Sequence, residues 1–195
     1  MEFIPTADEI ASRLRAHPPR RLRRDGTFDE ATVALLLRWA AQWELLFIQR
    51  AEREDDPWSA QMAFPGGRRE QGDASLLEAL GREVAEEVGV DLDHSAALLG
   101  PLDEAEPFTR RETRLVIAPF VFAVREEEIR LRCDPREVQA AVWIPLDALR
   151  DPAKATEITW RDRSYPAIRH EERVIWGITY RVVQEFLTLV ELRDR

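Results

Sequence analysis

Apolar residues recur along this chain at two periods. Residues 31–40 and 44–50 are dense runs of aliphatic and aromatic side chains around Ala41-Gln42-Trp43, and they read as two strands joined by a tight connection. A polar loop over residues 51–58 follows, then a short strand over 59–64 that returns the chain into a Pro65-Gly66-Gly67 turn. Residues 97–102, 115–124 and 140–144 read as further strands. The stretch 115–124 is nearly all apolar, which predicts a central strand with Pro119 at a bulge or an edge stretch. Glu126-Glu127-Glu128 reads as a charged hairpin tip, with residues 129–133 pairing back.

The second period is helical. Residues 7–17 place Ile10 and Leu14 inward, and Pro18-Pro19 ends that helix. Leu76, Leu77, Leu80, Val84 and Val88 form the apolar stripe of a second helix. It opens at Asp73 or at Ser75, the latter forming a Ser-x-x-Glu box with Glu78, and it stops at Gly89. Residues 146–150 give one helical turn, and residues 174–192 a long amphipathic helix with Ile175, Ile178, Val182, Phe186 and Val190 near one face. Strands interspersed with two substantial helices indicate an α/β sandwich built on a mixed sheet.

The helix beginning near residue 75 carries unusual chemistry. Glu83, Glu86 and Glu87 occupy neighbouring positions on one side, because successive residues advance by roughly 100°. Glu87 lies one heptad beyond Leu80 and so projects near the apolar stripe, and Glu83 flanks the same edge. A carboxylate along a buried edge is costly unless it is paired or bound to a cation. Hard oxygen donors suit Mg2+ or Mn2+ rather than zinc. A Glu-rich run by itself also fits a solvated acidic face. The cap, the stop and the preceding glycine turn, which lets backbone approach a ligand closely, join loop and acidic helix into one unit.

Composition narrows the setting. The chain has 195 residues, enough for one well-buried core, with 45% apolar and 33% charged residues. A net charge of −9 argues against general binding to nucleic acid or to anionic membrane surfaces. No apolar run is long enough for a transmembrane helix, no secretory signal is visible, and Cys133 has no partner for a disulfide, so a cytoplasmic protein is expected. Cys133 reads as a buried structural thiol. Residues 1–26 read as an N-terminal arm with a short helix, and residues 27–195 as one domain. Arg20, Arg21, Arg23 and Arg24 in the arm are either a solvated connector or a contact for a phosphate or a second subunit. The arm and the apolar C-terminal helix serve either a homodimer or a monomer core.

The stretch Arg82-Glu83-Val84-Ala85-Glu86-Glu87-Val88-Gly89-Val90 resembles the second half of the Nudix hydrolase signature, G-x5-E-x7-R-E-U-x-E-E-x-G-U with U aliphatic, at every fixed position. The first half departs: Asp73 stands where the signature has Glu, and eight residues rather than seven separate it from Arg82. That leaves open which acid partners the arginine. Gly81 falls inside the helix, where it costs about 1 kcal/mol relative to Ala. Upstream, Leu45-Leu46-Phe47-Ile48-Gln49-Arg50 and then Gln61-Met62-Ala63-Phe64-Pro65-Gly66-Gly67 resemble the motif before the signature in the coenzyme A pyrophosphatase branch. That branch has His where this chain has Trp58 or Ser59, and Gly where it has Ala60. Leu99-Gly100-Pro101-Leu102-Asp103, Glu137-Val138, Trp143-Ile144-Pro145-Leu146 and Ile175-Trp176-Gly177-Ile178-Thr179 extend the likeness.

The resemblance implies a Nudix-type α/β/α sandwich and a pyrophosphohydrolase using Mg2+ or Mn2+. Its substrate is a nucleoside diphosphate linked to another moiety, coenzyme A or acyl-coenzyme A first among them. Other Nudix substrates (a damaged nucleoside triphosphate, ADP-ribose, a dinucleoside polyphosphate) and a non-catalytic nucleotide-binding module are the alternatives. It implies that Glu83, Glu86, Glu87 and a Gly66 carbonyl hold metal, that Glu83 also acts as base, and that Arg82 orients the glutamates. Glu126, Glu127, Glu128 and Glu137 are further candidates for the base. Arg50, Gln61 and Gly67 are assigned to substrate, since a buried-edge arginine near such a site needs an anionic partner. Trp143 and Trp176 read as core aromatics. Trp58 either stacks on a base or caps its loop. The partner expected is a small nucleotide, with no nucleic acid and no membrane.

Overall fold

The computed structural model describes residues 5–52, 59–107, 113–125 and 129–191. The sequence alternation along β1 (Phe28–Trp39) explains the layering. Leu35 and Leu37 enter one core with Leu45, Phe47, Phe64 and Ile144, while Ala34 and Leu36 enter another with Leu46, Ile48, Leu80 and Val84. A strand buried on both faces needs apolar residues at successive positions, which is why β1 and β2 (Trp43–Arg50) read as continuous runs.

Around β1 the sheet is mixed. β1 pairs antiparallel with β2 and with β4 (Gly66–Arg68), and parallel with β6 (Arg114–Val124). β5 (Ala96–Pro101) lies outside β6, and β3 (Met62–Ala63) and β7 (Val138–Pro145) both pair with β2. Pro119 falls where the pairing of β5 runs out at Pro101↔Phe120, so its missing N–H interrupts no β5–β6 rung there. Helix α2 (Leu76–Val88) covers one face, followed by the short α3 (Leu92–Ser95). The other face is covered by α1 (Ala7–Ala16), the short α4 (Leu146–Arg150) and α5 (Gly177–Glu191). The α/β/α sandwich with a mixed sheet is therefore the observed fold.

The stretch before residue 26 is bound by packing and by charge. Ile10 and Leu14 are buried in the first core, and the Thr6 hydroxyl accepts from Glu9 N–H while Glu9 accepts from Thr6 N–H. Buried Arg13 donates to the Val190 carbonyl near the end of α5. Arg20 pairs with Asp103, and Arg21 and Arg24 converge on Glu104, which is 1% exposed.

Four expectations are corrected. The helix expected over 174–192 begins later: β10 (Arg173–Trp176) precedes it, and Gly177, with φ +64°, makes the break. A second sheet, β8 (Ala155–Trp160), β9 (Arg163–His170) and β10, occupies a stretch with no clear signal, because its first hairpin turns on Arg161 and Asp162 (φ +47° and +61°) rather than on Asn-Gly. Residues 129–133 form no strand. Arg132 N–H and Asp134 N–H instead donate to the Val88 and Glu87 carbonyls (2.8 and 3.1 Å), satisfying the end of α2. The strand expected over 59–64 shortens to Met62–Ala63. The expected tip at Glu126, Glu127 and Glu128 lies outside the described residues. Within α2, Leu77 is 41% exposed, and Leu80, Val84 and Val88 make the buried stripe.

Candidate active site

The Pro-Gly-Gly turn is clamped onto β1. Ala34 N–H donates to the Pro65 carbonyl at 2.8 Å, and Gly66 and Gly67 register with Val33 and Thr32. Gly66 has φ +142°, and a Cβ there would strike the Thr32 carbonyl and Val33 Cα; a Cβ on Gly67 would overlap the Glu83 carboxylate. Glycine is required at 66 by the sheet backbone, and a side chain at 67 would have to displace the Glu83 carboxylate. The Gly66 N–H donates to Glu87 Oε2 at 2.7 Å.

Helix α2 aims the acids. Ser75 caps it by accepting from Glu78 N–H (3.1 Å), while Glu78 reaches back to Ala74 N–H (2.7 Å). Gly89 ends it in the left-handed conformation, φ +70°. Glu87, one position from the buried Val88, is 3% exposed. Burial pushes its carboxyl up to about 8; the nearby Glu83 and Glu137 push the same way, and the Gly66 N–H and Arg50 oppose them. Burial likewise raises Glu83, against a 2.9 Å hydrogen bond from Arg82. Glu86 is exposed and accepts from Arg82 at 3.4 Å.

Arg82 is the hub. Its Nε and Nη2 donate to the two Asp73 oxygens at 3.2 and 3.0 Å, its Nη1 to Glu83, and its Nη2 also to the Arg68 carbonyl at 3.2 Å. The Asp73 pair holds the guanidinium far above its ordinary value, and Arg82 together with the Glu70 N–H holds Asp73 below the usual carboxylate range. The question opened by the altered first half of the motif is thereby answered. Asp73 is the acidic partner, and its shorter side chain still makes a bidentate pair.

These groups face a cavity of about 700 Å³. Arg50, Gln61, Gly66, Gly67, Glu83 and Glu87 all line it; the exposed Glu86 does not. Among the base candidates, Glu137 lines the cavity, and Trp58 and the Glu126–Glu128 run lie outside the described residues. Sequence reasoning missed Trp160 and Tyr165 and assigned Trp176 to the core, yet all three line the same cavity with part-exposed rings. Trp143 instead packs on the second core, with the Arg38 guanidinium 4.4 Å from its ring centroid. Cys133 packs against that core as well, and burial raises its thiol, which suits a structural role.

The donor chemistry fits a divalent cation. Two carboxylates, both raised by burial and by neighbouring acids, share one cavity, and a hard cation would relieve the cost of ionising them. Among the described residues no three metal-ligating side chains already converge, so Glu83 and Glu87 would share an ion with backbone, substrate or solvent oxygens. No helix among the described residues is long and apolar enough to cross a membrane.

The NUDIX domain family matches residues 28–167. An uncharacterized protein of Schizosaccharomyces pombe is 38% identical over 117 residues, which is 58% of this chain but only 35% of that protein. The uncharacterized Nudix hydrolase NudL of Yersinia enterocolitica is 26% identical over 197 aligned positions, covering 96% of this chain and 94% of the relative. Among solved structures, a MutT/nudix family protein from Enterococcus faecalis superposes with a TM-score of 0.54 at 16% identity, covering 97% of this chain and 76% of that one, which speaks to the fold. The chain belongs to the Nudix family and is a hydrolase acting on pyrophosphate bonds.

Proposed function

We propose that this enzyme hydrolyses the diphosphate of coenzyme A or acyl-coenzyme A, yielding 3′,5′-ADP and phosphopantetheine or its acyl form, with Mg2+ or Mn2+. The observation that carries the metal-dependent chemistry is the pair of buried carboxylates, Glu83 and Glu87, set against the Gly66-Gly67 turn in a cavity that Arg50 also lines. The upstream run from Arg50 through Gln61 to Gly67 supports the substrate.

In this reading Glu83, Glu87 and the Gly66 carbonyl hold the metal, with Glu86 joining from the solvent side. Held there, a divalent ion would supply neutralisation of the diphosphate charge and acidification of a water. Arg82 fixes the Glu83 carboxylate through a bond whose other face is anchored on Asp73. Arg50, Gln61 and the Gly67 backbone orient the diphosphate, and the bare Cα of Gly67 lets the Glu83 carboxylate lie against the turn. Glu83 or Glu137 takes the proton of the attacking water, a new P–O bond forms, and the bond to the departing phosphate oxygen breaks. The acidic charge and single cysteine support a cytoplasmic location.

The test is product identity. Purified protein is incubated with coenzyme A, ADP-ribose, dinucleoside polyphosphates and nucleoside triphosphates, with Mg2+ or Mn2+, beside Glu87→Gln. Metal-dependent release of 3′,5′-ADP from coenzyme A, lost in the variant, is expected. Preferential cleavage of another member of the panel would replace coenzyme A as substrate.

A further inference from the structure

The diphosphate chemistry leaves part of the cavity without a role. Its volume, about 700 Å³, suits a whole nucleotide rather than an ion and two phosphates. Trp160 at the end of β8, Tyr165 in β9 and Trp176 at the end of β10 line it, and they come from the second sheet, not from the helix that carries the acids. Their ring centroids lie 5.8 to 6.3 Å apart and their planes are inclined by 53° to 64°. Rings so tilted are not stacked face to face on one another, and each of the three residues is part exposed. Buried Thr179, in the first turn of α5, lines the same cavity. The Arg161 guanidinium lies over one face of the Trp160 ring, 4.4 Å from its centroid, and adds positive charge to the wall.

We propose that Trp160, Tyr165 and Trp176 form the subsite for the nucleobase of the substrate, and so determine which nucleotides this enzyme accepts. The proposal rests on the reading of the site as a nucleotide pyrophosphohydrolase. Aromatic rings with a cation nearby suit a planar, polar-edged ring, while aliphatic residues such as Ile117, Ile178 and Val182 line other parts of the cavity. Base-on-aromatic stacking tolerates any base, and single polar contacts such as Thr179 then discriminate among them. The wall stands on paired strands and the start of α5, so it is formed before ligand arrives.

Binding can be read without hydrolysis. AMP and ribose 5-phosphate differ only in the base, and neither contains a diphosphate bond to cleave. Both are titrated calorimetrically in Mg2+ into the full chain, with phosphopantetheine as a third probe. AMP is expected to bind at least about tenfold more tightly than ribose 5-phosphate. Trp160→Leu and Trp176→Leu are expected to remove that advantage and leave ribose 5-phosphate unchanged, and Trp176→Phe to retain most of it. If Trp176→Leu does not fold, Trp160→Leu at the hairpin carries the comparison. Equal binding of AMP and ribose 5-phosphate, or an equal loss of both in the variants, overturns the subsite. Loss of phosphopantetheine binding in place of AMP binding overturns it too, because the wall would then hold the tail. None of these outcomes depends on turnover, so failure of the proposed hydrolysis is scored separately by the product assay.

Discussion

Glu87 and Glu104 are both almost fully buried, at 3% and 1% exposure, and the molecule treats them in opposite ways. Burial works to raise each. At Glu104 it is outweighed: Arg24 donates at 2.8 and 2.9 Å, Arg21 at 3.0 Å and the Leu22 N–H at 2.7 Å, and the carboxyl is held below its ordinary value. At Glu87 the Gly66 N–H and the charge of Arg50 do not offset burial and two neighbouring acids, and the carboxyl rises to about 8. A carboxylate surrounded by its own cations is complete and ties the N-terminal stretch to the domain. A carboxylate left short of positive charge, beside others in a cavity, has the chemistry that the proposed divalent cation would complete.

The contrast can be broken by exchanging each acid for its neutral isostere. Glu87→Gln should lower kcat/KM about 100- to 1000-fold with the fold intact by circular dichroism. An active variant would remove Glu87 from the chemistry. Glu104→Gln should do the reverse: near-normal kcat/KM but roughly 1–2 kcal/mol less stability in urea unfolding, since three donors lose their charged acceptor while the arginines stay partly solvated. A silent Glu104→Gln would mean that the partly solvated arginines contribute nothing.

The pH dependence sharpens the same comparison. In metal-free protein Glu87, raised from 4.5 to about 8, contributes stability that is full below pH 4.5 and disappears as pH rises through about 8. Wild type should therefore lose ground to Glu87→Gln across that window in EDTA and recover it with Mg2+. Glu104, lowered, contributes stability that is present above the ordinary carboxylate range and is lost as pH falls through its lowered value, so Glu104→Gln should blunt acid denaturation. Urea midpoints measured across pH read both slopes.

A smaller effect is expected at Asp73, which touches Arg82 and not the cavity. Asp73→Asn should cost about tenfold in kcat/KM, as loss of a group that orients a ligating side chain does, and Asp73→Glu should restore part of it. The smallest effects lie in the backbone. A Cβ at Gly81 meets nothing within 4 Å, so Gly81→Ala should stabilise α2 by up to about 1 kcal/mol. Ala60 holds φ +58°, a left-handed conformation at the position where the related motif has glycine, and Ala60→Gly should stabilise by about 1 kcal/mol. Thermal unfolding of the two variants checks both shifts.

Much of the site was legible because it is local. Glu83, Glu86 and Glu87 share one helix whose cap and stop are written within a few residues, and the glycine turn lies just upstream. That Glu87 would be buried followed from its place beside Leu80, Val84 and Val88. The depth and the partners were not legible. Glu86 sits as close in sequence as Glu87, yet it faces solvent and only brushes Arg82. Of the candidate bases, Glu137 reaches the cavity because β7 pairs with β2 beside Arg50, a long-range contact with no local mark.

By itself, then, the sequence determined the alternating strands around β1, the capped acidic helix, the metal-suited donor set and the family. All of these follow from periodicity and short spacings that any chain carrying them must express. Tertiary structure alone decided that Asp73 completes Arg82, that the basic arm closes on Glu104, and that three aromatic rings from β8, β9 and β10 face the acids' cavity. The second sheet escaped detection because its strands are short and half exposed and its first turn uses Arg161-Asp162, so that pairing, not propensity, creates it. Charge compensation is likewise a property of distance in the folded chain. Glu87 and Glu104 differ only in what the fold brings to them, and that difference separates a group that chemistry can use from one that holds the molecule together.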